Sequence, residues 1–221
     1  MGETLPMFPL NTVVFPAVRI PLRVFEDRYR ALVRHLLTID DPDQRMFGSV
    51  GIREGYEVGD HGSQSLYRIG CRLRLTTATN HPDGTFDVVA TGVDRFRLDA
   101  LTTDGPFPSG EVERLASPRT SVAPQVVEDA LAAFDAYRAV VTQWRDDPHP
   151  TPLPGDPVHL SWTLAAVAPL ALPERQELLE SDDASARLID VTHLLRREVE
   201  AMRAIASLPA TGVARTRWCP N

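Results

Sequence analysis

Along the chain, apolar residues first recur at every second position and then change period. In AVRIPLRVF, residues 17–25, Val18, Ile20, Leu22 and Val24 alternate with Arg19 and Arg23, the two-residue repeat of a strand with one buried face. Pro9, Pro16 and Pro21 punctuate the region. Proline lacks a donor and pushes its predecessor toward extended backbone, so these residues predict two or three short strands at sheet edges or ends. Then Tyr29, Leu32, Val33, Leu36 and Leu37 fall at i, i+3, i+4, i+7 and i+8, with Glu26 and Asp27 at the positive N-terminal end of the stripe. The switch predicts strands followed by a helix packed back onto their sheet.

Further strands follow a polar break. MFGSVGIRE reads as one, and the GYEVGDHGSQS stretch after it as loop. From Tyr67 the alternation returns, with Ile69, Cys71, Leu73 and Leu75 on one face and Arg68, Arg72 and Arg74 on the other. Asp83-Gly84 within HPDGT marks a tight hairpin, since glycine tolerates the positive φ such turns need. Its partner FDVVATGVDRFRL carries Gly92 in mid-run, a sign of a bulge or a close backbone approach. GEVERL is the last short strand. Residues 1–118 are thus expected to form a small, mostly antiparallel sheet or barrel with one inserted helix.

Beyond that point the pattern is helical. Val127, Leu131, Phe134, Val141 and Trp144 make one stripe, and five prolines from Pro148 to Pro157 predict an extended break. VHLSWTLAAVA is apolar around most of its circumference and belongs in the middle of a bundle. Pro173 is placed to open a short helix. A long final helix carries a seam of Leu188, Val191, Leu195, Val199, Met202 and Ala206. The expected division is a β domain over 1–118, a helical bundle over 119–207 and a flexible tail over 208–221.

Composition removes whole classes of chemistry. All 23 basic residues are arginine, so no Walker lysine, Schiff base or Ser-Lys dyad can form. The net charge is −7 and neither half is basic, which argues against nucleic-acid binding through phosphate neutralisation. Cys71 and Cys219 are too few for a disulfide framework or a cysteine-rich zinc site, and a reducing cytoplasm is the expected setting. The N-terminus has no basic targeting region, and the longest uncharged stretch, broken by Pro169, reads as a core helix and not as a membrane span.

Candidate chemistry is correspondingly sparse. No Gly-x-Ser-x-Gly elbow, His-Glu-x-x-His helix or dinucleotide fingerprint occurs. His35 and His193 fall on polar helix faces, while His61, His81 and His149 fall in loops. Asp146, Asp147 and His149 sit in a proline-rich loop ill suited to coordination, and Asp40-Asp41 and Asp182-Asp183 look like loop residues and helix starts. Cys71 reads as a small core residue and the Arg68, Arg72, Arg74 stripe as a solvated sheet face. No catalytic residue, metal ligand or cofactor is expected. What remains is a surface. The strand-to-helix corner of Pro21, Leu22, Phe25, Glu26, Asp27 and Arg28 combines rigid backbone, apolar side chains and both signs of charge. It suits an extended peptide, or else Phe25 staples the helix to the sheet.

Four segments in order carry a family resemblance: LPMFPLNTVVFPAVRIPLRVFEDRYRALV, MFGSVGIREG, DGTFDVVATGVDRFRL and LPERQELLE. Together they resemble the substrate-recognition N-terminal domain of Lon-type proteases in its free-standing bacterial form, a domain also found in cereblon. The resemblance runs from about Leu5 to Ala206. It implies an α+β fold in which a PUA-like β pseudobarrel is followed by a helical bundle. The ATPase and Ser-Lys protease that follow this module in Lon have no counterpart in these residues. Ala17 stands where the family usually has glycine, and IGCRLRL is an untypical strand. The implied function is non-enzymatic recognition of unfolded or partner polypeptides. An adaptor or regulator of a separate protease such as Lon is the main alternative, and RNA binding by analogy with PUA domains a lesser one. No membrane or nucleic-acid partner is expected.

Overall fold

The computed structural model describes residues 2–53, 66–116, 121–143, 146–149 and 152–205. The GYEVGDHGSQS stretch with His61, Trp144, Ala206, Cys219 and the 208–221 segment lie outside the described residues. Those described fall into two compact units, 2–116 and 121–205. The whole is α+β, with a mostly antiparallel sheet and five α-helices among the described residues.

The first unit contains β1 (Glu3–Pro6), β2 (Arg19–Val24), β3 (Met46–Ser49), β4 (Ile69–Asn80), β5 (Phe86–Thr102) and β6 (Ser109–Arg114). Helix α1 (Asp27–Leu37) lies between β2 and β3 in the chain. The sheet order is β1-β6-β5-β4-β3, with β2 also on β5, and every strand pair is antiparallel. The long β5 is the spine: Phe86–Thr91 pair with β2, Phe96–Thr102 with β6, and β4 runs beside it from Asn80 to Ile69. After β1 the chain crosses to β3, where Phe8 N donates to Gly48 O (2.8 Å) and Leu10 N to Val50 O (3.0 Å). The hydrogen-bonded path thereby returns from β3 to the segment that follows β1. At the β4–β5 hairpin Gly84 takes φ +79° and its N–H donates to His81 O (2.9 Å), the turn that Asp83-Gly84 specifies.

The period-two and helical stripes meet in one core. Tyr29, Leu32, Val33 and Leu36 of α1 pack with Leu22, Val24, Leu73, Leu75, Phe86 and Val88, all buried. Burying each aliphatic side chain here stabilises the unit by about 1.5–3 kcal/mol relative to leaving it exposed. Leu5, Met7, Val50, Ile52, Phe96, Leu98 and Val112 form a second cluster.

Of the arginine stripe Arg68, Arg72 and Arg74 that alternation reads as a solvated sheet face, Arg68 is exposed and only Arg72 departs from the expectation. Arg74 is partly exposed and paired with Asp43 (2.7 Å), but Arg72 is buried. Its Nε and Nη2 donate to the two carboxylate oxygens of Asp94 at 2.6 and 2.7 Å, and Glu3 lies 3.3 Å away. Asp94 faces Arg72 in register while Gly92 faces Leu73, so Val93 is the extra residue of a bulge. A guanidinium in an interior strand is held by this forked bridge.

Gly92 also meets the segment before β2. Ala17 N donates to Gly92 O and Gly92 N to Val18 O, both at 2.9 Å. Ala17 makes this approach with φ +61°, a left-handed backbone that costs an L-residue about 1–2 kcal/mol. Glycine relieves that strain but adds about 0.4–1 kcal/mol of unfolded-chain entropy. Ala17→Gly is therefore expected to stabilise the protein by about 0.5–1 kcal/mol. Urea denaturation measures it, and a lowered midpoint would contradict the strain.

The second unit holds α2 (Pro124–Val141), α3 (Pro157–Val167), α4 (Leu172–Glu180) and α5 (Ala184–Ile205). Leu188, Val191, Leu195, Val199 and Met202 of α5 are all buried, as the seam predicts. On α2 the buried residues are Ala130, Ala133, Phe134, Tyr137 and Val141, whereas Val127 and Leu131 are only half-buried. The stripe turns because α2 packs on α5 and its two alanines permit close approach of the helix axes. Asp156 caps α3 by accepting from His159 N (2.8 Å), and Pro173 lies in the first turn of α4 as expected. Arg187 is buried on α5, its guanidinium carbon 3.4 Å from the Trp162 ring centroid, donating to Ser161 Oγ (3.0 Å) and Ser181 O (2.6 Å). Among the described residues no helix is long and apolar enough to cross a membrane.

Candidate functional site

The corner between β2 and α1 is built by a change of backbone direction at Phe25 and Glu26. Glu26 is the extended N-cap of α1, and its carbonyl accepts from Tyr29 N (3.1 Å) and Arg30 N (2.8 Å). Its carboxylate does not cap the helix. It accepts instead from Arg28 Nε (2.9 Å), and the Arg28 guanidinium lies over the Tyr29 ring, 4.6 Å from its centroid. Asp27 pairs with Arg30. Burial pushes the Tyr29 hydroxyl up to about 12, Arg28 pulling it down and Glu26 pushing it up, so Tyr29 stays a neutral core residue beside Phe8 (ring centroids 4.1 Å).

Of the six corner residues, Pro21, Phe25 and Asp27 are exposed, and Glu26 and Arg28 are half-buried. Leu22 is in the core at 6% exposure, which corrects its inclusion in a contact surface. It shares the inward phase of β2 with Val24 and packs under α1. Phe25 is 48% exposed and outside the core clusters. A staple would need an apolar residue at the fourth helical position, and that position is Arg30. The corner's charges are thus satisfied among themselves, and Phe25 and Pro21 supply its apolar contact area.

The rim is also guarded. Among the described residues β2 pairs with β5 alone, and no strand is paired to its other edge. Pro21 sits at the centre of that edge without a donor, between Arg19 and Arg23, a combination that discourages strand addition. Pro21→Val is expected to restore the edge donor and shift size-exclusion profiles toward larger species than wild type forms at the same concentration. An unchanged profile would remove the guarding role.

The other candidate groups are occupied structurally. Cys71 is buried and desolvation pushes its thiol well above the usual range, leaving no thiolate nucleophile. His81 Nε2 lies 2.7 Å from Asp87, whose carboxyl is held below its usual range by Arg23 (2.9 Å) and then by His81. Asp147 is held low by Arg138 (2.5 Å) and by His149 N–H (2.9 Å). Asp41 and Asp183 accept from the backbone N–H of Asp43 (3.0 Å) and Ser185 (2.7 Å). His35 is exposed and stacks on Phe107 (5.1 Å). No group of three or more His, Cys, Asp or Glu converges among the described residues.

Sequence periodicity passed over one surface feature. Between α2 and α5 lies a shallow depression of about 70 Å³, lined by Val126, Asp129, Ile189, Thr192, His193 and Arg196. Ile189 is 41% exposed, and its only sequence signal is an isoleucine one position off the seam. The depression is far smaller than the roughly 300–1,000 Å³ of a small-molecule pocket.

Comparison with known proteins places this geometry. A family model described as the ATP-dependent protease La (LON) substrate-binding domain matches residues 4–197. The Lon protease of Escherichia coli strain K12 is 29% identical over 205 residues, which cover 90% of this chain and 25% of that protein. Lon protease 2 of Myxococcus xanthus is 27% identical over 206 residues, covering 91% and 24%. The chain thus spans about a quarter of the length of these relatives. A solved Lon N-terminal domain protein from Xanthomonas campestris aligns with a TM-score of 0.63 at 25% identity, covering 86% of this chain and 98% of that one. The N-terminal domain of the Mycobacterium avium complex Lon protease shares the fold, with a TM-score of 0.60 at 16% identity over 87% and 98%. The family match takes in the corner, all of the sheet but Glu3 and most of the helical unit: this chain belongs to the LON substrate-binding domain family.

Proposed function

We propose that the chain is a non-enzymatic recognition module that binds exposed apolar segments of unfolded or partner polypeptides at the β2–α1 corner. One observation carries the site: Phe25 is a half-exposed aromatic on a rigid corner whose charges already pair with one another. A surface of this kind rewards an apolar side chain and gives little to a charged one. Membership of a substrate-binding family supports the same reading. The return of the hydrogen-bonded path from β3 to residues 7–10 supports a PUA-like pseudobarrel over 1–118, and the shared burial of α2, α3 and α5 a helical bundle over 119–207.

The test is a titration of the full chain against a labelled, carboxymethylated, permanently unfolded polypeptide. Saturable binding that changes little between low and high salt is expected, because the corner offers apolar area and no free charge. Binding to no unfolded chain, or binding that collapses with salt, would end this reading. Membership of the LON substrate-binding domain family supports a second role, as an adaptor or regulator of a separate Lon-type protease. An altered degradation rate on adding the chain to such a protease supports that role, and an unchanged rate removes it.

A further inference from the structure

We infer that the outer face of β2 and β5 adds a carboxylate-reading subsite to the corner: an extended polypeptide segment that seats an apolar side chain on Pro21 and Val89 places an acidic group two residues away at Arg19 and Thr91. The subsite rests on the corner as the place of binding and narrows the class of segment taken there.

Residues directly opposite on paired strands share a face, with β-carbons about 5 Å apart. Arg19 of β2 faces Thr91 of β5, and Thr91 faces Arg74 of β4, so two guanidinium side chains flank one hydroxyl in a single row across the sheet. Ile20, Ala90, Leu73 and Leu75 take the inward phase beside them, which turns the row outward. Arg19 is exposed and has neither an ion-pair nor a hydrogen-bond partner among the described residues. Arg74 pairs with Asp43 (2.7 Å), so the row carries two positive charges against one negative. The acids to either side along β5 are engaged: Asp87 by Arg23 (2.9 Å) and His81 (2.7 Å), Asp94 by the Arg72 fork. A net positive row whose free member is a guanidinium complements a carboxylate, which it can hold through two parallel hydrogen bonds.

The next row toward the corner is less charged. Pro21 is exposed, Val89 opposite it is half-buried, and Thr77 continues the row on β4. Strand rise sets the spacing at about 7 Å from Arg19 to Pro21 and about 13 Å more to Phe25. An extended ligand matches both intervals with apolar residues four apart and a carboxylate two beyond. A helix would compress the same positions into about 9 Å. The segment lies over the face and not along the β2 edge, where Pro21 offers no donor.

The test is a fluorescence-anisotropy titration of the full chain with labelled serine-based peptides. Each carries a phenylalanine, a leucine four positions later and a variable end two beyond: an internal aspartate, an internal asparagine, or an asparagine whose free carboxylate ends the chain. An acidic peptide is expected to bind about threefold more tightly than the internal asparagine peptide at low salt, a gain that high salt abolishes. A gain for aspartate assigns the subsite to acidic side chains, and a gain for the chain-ending peptide alone assigns it to chain termini; either supports it. Arg19→Gln should erase the gain and Arg19→Glu should reverse it, and neither breaks an ion pair or hydrogen bond among the described residues. Equal binding of acidic and neutral peptides, or a gain that survives Arg19→Gln, would overturn the subsite and leave the corner in place. Binding of none of the peptides, or binding indifferent to Phe25→Ser, would remove the corner and the subsite with it.

Discussion

Gly92→Ala is expected to destabilise the first unit by about 3–5 kcal/mol, a large share of the about 5–15 kcal/mol that holds a typical protein folded. A β-carbon at residue 92 would stand 2.1 Å from the Phe15 carbonyl oxygen, 2.9 Å from its carbon and 3.0 Å from Pro16 Cα. Even a close carbon-to-oxygen contact lies near about 3.3 Å, so the overlap exceeds 1 Å or so and the obstacle is backbone. The segment cannot withdraw cheaply. Phe15 is fully buried, and the Ala17–Gly92 and Gly92–Val18 hydrogen bonds pin the two backbones together. Relief would break both bonds and disturb the strained turn at Ala17. Hydrogen exchange at β2 and β5 reads the effect in this unit, where Trp162 fluorescence follows only the other. A loss of protection worth less than about 1 kcal/mol would show that residues 15–17 yield, and would remove the close approach as a structural constraint.

How far the fold could be read in advance depended on whether a residue's environment is set by its own element or by a distant one. The alternation of β2, the stripe of α1 and the α5 seam are local periodicities, and all end up buried as their spacing requires. Asp83-Gly84 and Gly92 are legible because few residues tolerate a left-handed turn or a backbone 3 Å away. Arg72 is different: its partner Asp94 is placed opposite by a bulge at Val93, and no single-strand pattern encodes a register shift. Arg187 sits on what spacing reads as a polar position, and only the tertiary placement of Trp162 and Ser161 makes it a core residue. The α2 stripe holds at Phe134 and Val141 but not at Val127 and Leu131, because Ala130 and Ala133, whose value is their small size, take the buried positions there.

The candidate site was legible to the same degree. Leu22 belonged to the core by the very alternation that predicted β2, so grouping it with surface residues set sequence adjacency above phase. Phe25 lies just past the strand and one residue before the N-cap of α1, where neither period governs it, and its exposure needed the structure. The α2–α5 groove was invisible for another reason. A depression between two helices is a property of their packing, and each wall alone reads as an ordinary mixed helix face.

Those two phases separate recognition from stability in one experiment. Phe25→Ser is expected to lower affinity for an unfolded polypeptide about 30-fold, the roughly 2 kcal/mol of a hot-spot aromatic, because no other large apolar side chain of the corner reaches solvent. The cost to folding is small. Phe25 already keeps 48% of its surface in water, so its loss removes only about 1 kcal/mol of burial. Leu22→Ala should behave in the opposite way, destabilising the unit by about 2–5 kcal/mol through a core cavity while its folded fraction binds as wild type does. Both variants are measured for unfolding and for binding, with affinity corrected for the folded fraction. A Phe25→Ser protein that is folded and binds undiminished would move the recognition surface away from the corner. A Leu22→Ala protein that keeps its stability would show instead that β2 does not carry the core under α1, and the rigidity on which the corner depends would be lost with it.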